Sequence, residues 1–133
     1  MRLTHRALLA TPPDPVRAIL QDPTAWGALG FQPRAAGRDH WAGEWRLHWP
    51  RVLTLEADAE PTAHGLRFTF SGEGVRGSGE ISAVGTPDDG GASVVLDVDV
   101  VVSWSLPGAW WAELEAEVLP RWLHAITRGS PGQ

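Results

Sequence analysis

The chain has 133 residues, of which 43% are hydrophobic and 20% charged, so it is long enough to bury one core without help from disulfides or metals. Its formal net charge is −5 and its arginines stand singly, which argues against nucleic acid as a partner, because binding phosphates needs a basic stripe. It contains no Cys, Tyr or Lys, which excludes disulfides, cysteine nucleophiles, thiolate metal sites and lysine Schiff bases.

No stretch of the sequence approaches the ~18 apolar residues that a membrane-spanning helix needs. The apolar run at residues 7–10 is also too short for the hydrophobic region of a secretory signal. We therefore expect no transmembrane segment and a cytoplasmic location.

The first predicted strand runs from Leu3 to Ala10, and a proline-rich segment follows it. Thr11 is predicted to cap the next helix, with Pro12 as its first residue and Asp14 as the acidic part of a capping box. Pro23 disfavours helical geometry in the residue before it, so this helix should end by Asp22.

A second short helix is predicted from Pro23 to Leu29. It carries Trp26 and should end at Gly30, because glycine readily adopts the left-handed conformation that follows many helices. Two short helices thus follow the first strand.

From about residue 32 to residue 104 the hydrophobic pattern has a period of two, interrupted by turn residues every 8 to 15 positions. Trp41, Trp45, Phe68 and Phe70 are all predicted to lie on the apolar face. Alternation of this kind is typical of an antiparallel sheet with one solvated side. The segment 72–79 is rich in glycine, but no helix or lysine follows it, so we interpret it as a hairpin and not a phosphate loop.

After residue 108 the period returns to 3.6, which predicts a long amphipathic helix interrupted at Pro120. Its predicted apolar stripe consists of Trp111, Leu114, Val118, Trp122 and Ala125. The sequence therefore predicts one α+β domain over residues 1–128 and a disordered tail over residues 129–133.

The segment from Ala10 to Val16, followed by the segment from Leu20 to Trp26, resembles the START-like (SRPBCC) superfamily, which includes Bet v 1, polyketide cyclases and coenzyme Q-binding proteins. The segment from Phe70 to Glu80 resembles the paired central strands of its small bacterial members. The resemblance covers nearly the whole chain, although Arg17 stands where these proteins commonly have an aromatic residue.

The resemblance implies a helix-grip fold, in which a curved antiparallel sheet of about seven strands surrounds the long C-terminal helix. It also implies a cavity between sheet and helix for an apolar ligand such as a lipid, quinone or polyketide. With eight tryptophans in the chain, we expect aromatic rings in the cavity wall. The predicted ligand-binding residues are Trp41, Trp45, Phe68, Phe70, Trp111, Leu114, Val118 and Trp122.

Titratable residues give weaker indications of chemistry. His40, Glu44 and His48 share one strand face, but at ~3.3 Å per residue the two histidines are roughly 26 Å apart and cannot bind one ion. We therefore predict no metal and no cofactor. His5, on the inward face of the first strand, and Glu73, in the glycine-rich hairpin, are the only candidates for acid–base catalysis.

Three functions remain open from the sequence. The first is non-catalytic binding of a small hydrophobic molecule, by a monomer or homodimer. The second is an enzyme of the polyketide cyclase or dehydratase type, in which His5 or Glu73 would move protons. The third is a protein–protein interaction module in which an apolar surface binds a partner chain.

Overall fold

The computed structural model describes residues 1–37, 39–49, 51–87, 90–103 and 108–128. The strands are β1 (Arg2–Leu9), β2 (Phe31–Ala36), β3 (Trp41–Trp49), β4 (Arg51–Pro61), β5 (Gly65–Gly72), β6 (Val75–Gly85) and β7 (Ala92–Val102). The helices are α1 (Pro13–Leu20), α2 (Pro23–Trp26), α3 (Gly108–Glu113) and α4 (Leu119–Arg128). A 3-10 turn at Gly27–Leu29 follows α2, and a π-helical segment at Leu114–Val118 joins α3 to α4.

The strands form one antiparallel seven-stranded sheet in the order β1-β7-β6-β5-β4-β3-β2. Strands β2 to β6 each pair with the next strand in the chain, and β1 pairs with β7 at the other end of the sheet. The predicted tail, residues 129–133, and Trp104 lie outside the described residues. The α+β class and the two short helices after the first strand are as the sequence predicts.

The two faces of the sheet follow from the alternation in the sequence. In β4, Leu55 is buried while its neighbours Thr54 and Glu56 are exposed, and the same alternation continues along the strand. The buried hydrophobic residues that the structure describes form a single cluster, to which α1, α2 and α4 contribute from the apolar side. The apolar face is therefore the inner face of the fold.

Glycines in β6 provide the space for two phenylalanine rings of β5. Gly79 pairs with Phe68 and Gly77 with Phe70. A Cβ atom on Gly79 would lie 2.5 Å from Cζ of Phe68 and 2.9 Å from the carbonyl oxygen of Asp97. The glycine-rich segment is thus part of a hairpin, as predicted. The two rings lie over Gly77 and Gly79, which have no side chains to keep the rings away from the backbone of β6.

The predicted cap of the first helix is wrong. The helix begins at Pro13 and not at Pro12, and no side chain caps it. Because Pro13 follows it, Pro12 is restricted to extended geometry, with ψ at 158°, and cannot be the first helical residue. The guanidinium of Arg17 instead pairs with Asp14 and donates a hydrogen bond to the Ala83 carbonyl, which ties α1 to β6.

The C-terminal helix contains the predicted interruption, but in the form of the five-residue π segment immediately before Pro120. Proline has no N–H, so the carbonyl four residues earlier would lose its donor in a continuous α-helix. Pro120 lies just after the π segment, where the hydrogen-bond pattern changes from five-residue to four-residue spacing.

The π segment also changes which residues face the sheet. A π turn takes up about one more residue than an α turn, so the inward stripe moves by one position. Leu119, Leu123 and Ile126 are each 1% exposed, whereas the predicted stripe residues Val118, Trp122 and Ala125 are only half-buried. The predicted stripe was therefore wrong by one residue beyond the π segment.

This helix register predicts that substitutions at two neighbouring residues lower the free energy of unfolding by very different amounts. Leu119→Ala removes a fully buried side chain and should lower the free energy of unfolding by about 2–5 kcal/mol, whereas Val118→Ala should cost less than about 1.5 kcal/mol. Equilibrium urea denaturation of both variants measures the difference. The opposite ranking would show that the helix passes this point without the extra residue.

The close approach of ring and strand predicts that Gly79→Ala lowers the free energy of unfolding by about 1–3 kcal/mol, because Phe68 and β7 must move to accommodate the new methyl group. Gly27→Ala is the matched control. Its added Cβ would meet no atom within 4 Å, and its φ of −59° suits any residue. The control should change stability by less than about 1 kcal/mol, and equal effects of the two substitutions in urea denaturation would contradict the packing.

Candidate functional site

A cavity of about 50 Å³ lies between the inner face of the sheet and α4. Side chains from β1, α2, five of the other strands and α4 surround it, and all of them are apolar. The lining residues are Leu3, Trp26, Trp45, Leu53, Leu55, Phe68, Phe70, Val75, Leu96, Val98, Val100, Leu119, Trp122 and Ile126. The cavity is therefore bounded by the core of the fold and not by its polar surface.

Trp26 is at the centre of the aromatic wall. Its ring centroid lies 5.9 Å from that of Trp45, 5.8 Å from that of Phe68 and 6.2 Å from that of Trp41. The Trp45 ring in turn packs against Trp122 of α4 at 5.3 Å. Tilted and edge-to-face ring pairs at these distances are favourable arrangements, so the wall connects α2, the sheet and α4 through aromatic contacts.

Local structure holds Trp26 in this position. Asp22 caps α2 by accepting hydrogen bonds from the backbone N–H and the hydroxyl of Thr24, which fixes the start of the short helix. The indole N–H of Trp26 donates a hydrogen bond of 2.8 Å to the carbonyl oxygen of Leu20, which is the last residue of α1. The indole of Trp45 likewise donates to the carbonyl of Leu29 at 2.9 Å. Both rings therefore have satisfied polar groups and apolar faces free to line a cavity.

The structure brings together some of the predicted site residues and separates others. Trp45, Phe68, Phe70 and Trp122 line the cavity. Trp41 is buried beside Trp26 but is one ring removed from the cavity. Trp111 and Val118 are half-buried and pack against the core, also away from the lining. The side chain of Leu114 lies outside the described part of the chain.

Sequence reasoning missed all of the lining residues from β1, β4, β6 and β7, together with Trp26, Leu119 and Ile126. The alternation in β4 and β7 assigns their residues to the inner face, but no sequence signal separates a residue beside a cavity from one in a solid core. Trp26 could have been chosen from the eight-tryptophan signal. Leu119 and Ile126 could not, because the stripe that would reveal them is displaced by the π segment.

Neither candidate acid or base lies in the cavity. His5 is half-buried on the inward side of β1, away from the lining, and Glu73 is exposed in the turn between β5 and β6. No described residue of the lining carries a titratable group. Their role as catalysts remains a prediction from the sequence that these positions do not favour.

The resolved electrostatic effects lie on the outer face of the sheet. Arg2 of β1 donates a hydrogen bond from Nε to Oδ1 of Asp97 on β7 at 2.9 Å, and this bond holds the pKa of the carboxyl below its usual value. Arg34 and Glu56 form a second outer pair, at 2.7 Å between Nη2 and Oε1. No group of three metal-ligating side chains occurs within the described residues. Both ion pairs therefore lie on the face of the sheet opposite the cavity.

The inner face of the sheet is buried more completely at one end than at the other. Leu66, Ile81 and Val94 are each 1% exposed or less, whereas Phe70, Val102 and Trp122 are half-buried. Phe70 and Val102 lie where β5 and β7 approach the turn between β5 and β6. The end of the inner face nearest this turn is therefore the less covered one.

No protein-family model matches the sequence, and no curated protein matches it. Solved structures do match. A START superfamily protein from Mycobacterium smegmatis has a TM-score of 0.74 at 15% identity, with 96% of this chain and 94% of that chain covered. A conserved protein from Geobacillus kaustophilus has a TM-score of 0.75 at 13% identity, with 96% and 93% covered.

The di-domain ARO/CYC protein BexL, from the BE-7585A biosynthetic pathway, has a TM-score of 0.68 at 11% identity. That alignment covers 100% of this chain and 50% of BexL. The chain has the START-like helix-grip fold. At these identities the likeness concerns the fold alone, and the START-like architecture predicted from the sequence is confirmed. Within the described residues, no helix of this START-like fold is long and apolar enough to cross a membrane.

Proposed function

We propose that this protein binds a small apolar molecule in the cavity between the sheet and α4, without acid–base chemistry on it. The observation that carries the proposal is the lining itself, which is apolar on every side and includes the half-buried rings of Phe70 and Trp122 at one end. Concave sites lined by apolar and aromatic side chains are the usual form of small-molecule sites.

The size of the cavity restricts the ligand. Pockets for drug-sized molecules typically measure ~300–1,000 Å³, several times the 50 Å³ available here. A ligand of one or two rings therefore requires the wall to move outward. Phe70 and Trp122 are the residues that can move at least cost, because they are only half-buried. We place the entrance at this end, near the turn between β5 and β6.

The second candidate is an enzyme of the cyclase type, which the likeness to BexL favours because that protein is described as an ARO/CYC. Acid–base catalysis needs a titratable group within hydrogen-bond reach of the substrate. The lining offers shape and apolar contacts and no such group among the described residues, so we favour binding.

Filling the cavity should weaken binding strongly. Val100 lines the cavity and is 7% exposed, while its neighbour Val101 is 49% exposed on the outer face. Wild-type protein titrated with indane or naphthalene in a calorimeter should give saturable binding, with the negative heat-capacity change that accompanies apolar burial. Val100→Phe should weaken that binding at least tenfold, because the added ring occupies the free space.

Val101→Phe is the matched control, since it makes the same substitution on the opposite face and should leave binding within twofold. Circular dichroism and urea denaturation of both variants check that each remains folded. The absence of saturable binding by the wild type would refute the proposed function. Equal losses in the two variants would refute the assignment to this cavity.

A further inference from the structure

The indole N–H of Trp41 is buried without a partner. Trp41 is 3% exposed, on the inward face at the start of β3. Its Nε1 atom is, among the described residues, the only buried side-chain nitrogen or oxygen without a hydrogen-bond partner. Buried polar groups in folded proteins nearly always have a partner, because an N–H removed from water without an acceptor destabilises the fold.

The neighbouring tryptophans make this exception specific. Trp26 and Trp45 belong to the same aromatic cluster, and each donates its indole N–H to a backbone carbonyl. Trp41 instead packs its ring against Phe31 at 4.9 Å and Trp26 at 6.2 Å, and neither of these side chains offers an acceptor oxygen. Of these three indoles, those of Trp26 and Trp45 donate a hydrogen bond and that of Trp41 does not.

The unsatisfied donor belongs to a ring that packs directly behind the cavity wall. Trp26 contacts Trp41 directly and also lines the cavity, together with Trp45 and Phe68, which are its other ring partners. Contact between a ligand and Trp41 therefore requires the cavity to expand past the Trp26 ring. Among the described residues, the indole of Trp41 is the one buried side-chain donor of this aromatic cluster that has no partner.

We propose that the N–H of Trp41 is the polar recognition point of the site and donates a hydrogen bond to a carbonyl oxygen of an otherwise apolar ring compound. The proposal rests on the proposed function and specifies its ligand class. A neutral acceptor is favoured over a carboxylate, because no cation is available to compensate a charge in this apolar lining. A carbonyl is favoured over a hydroxyl, because a hydroxyl would bring a donor for which the lining has no acceptor.

The test compares two ligands of nearly the same shape, 1-indanone and indane, which differ by one carbonyl oxygen. In calorimetry, Trp41→Phe should weaken the binding of 1-indanone by roughly 3- to 10-fold and leave that of indane within twofold, as expected for one hydrogen bond. Trp45→Phe is the control, because it removes a satisfied donor from the cavity wall. It should change the affinities for the two ligands by the same factor.

A spectroscopic readout reports on the bond itself. The Trp41 indole signal in a proton–nitrogen correlation spectrum is assigned by its loss in Trp41→Phe. It should move downfield on saturation with 1-indanone and move much less with indane. If both ligands bind but the signal responds equally to them, or Trp41→Phe weakens both equally, the donor role is refuted and the proposed function stands. If neither ligand binds the wild type, the proposed function fails, and the donor role fails with it.

Discussion

The apolar inner face of the sheet needs an apolar cover, and the main cover is a helix that contains a proline. Pro120 lacks the N–H that a continuous α-helix would use, and a π segment interrupts the α-helical hydrogen-bond pattern just before it. The extra residue rotates Leu119, Leu123 and Ile126 onto the sheet. It also leaves Trp122 at the edge of the contact between the helix and the sheet, where its ring packs against Trp45 and forms part of the cavity wall. The interruption of the helix before Pro120 thus affects both how the core closes and which ring borders the cavity.

Aromatic packing against the sheet determines how much space is left. Phe68 and Phe70 lie across glycines of β6. Each ring can approach the strand backbone this closely only because glycine has no Cβ atom. Trp26 enters the same layer from α2, held by the Asp22 cap and by its bond to the Leu20 carbonyl. The cavity is the space left between these rings and the aliphatic side chains of the sheet and α4, which explains why it is small and apolar.

Sequence patterns predicted the features that depend on local chemistry. The period-two pattern placed Trp41, Trp45 and Phe68 correctly on the buried face, and Gly30, with φ at 89°, ends the second helical segment as expected. The predicted N-cap at Thr11 was wrong because Pro13 restricts Pro12 to extended geometry, an effect that the capping-box pattern does not include. The inward stripe of the C-terminal helix failed for a different reason: a 3.6-residue period cannot reveal an extra residue in one turn. The contacts of Trp26 are tertiary and have no periodic signature.

Three departures from local rules meet around the cavity. They are the π segment in the covering helix, the glycines inside β6, and the unpartnered N–H of Trp41. Proteins tend to depart from such rules at functional or strained sites, where the cost is balanced by another requirement. A cavity that only filled space would need none of the three. A cavity that opens for a ring-shaped ligand would use a helix with an interrupted register, rings resting on glycines of β6, and one donor kept free of protein acceptors.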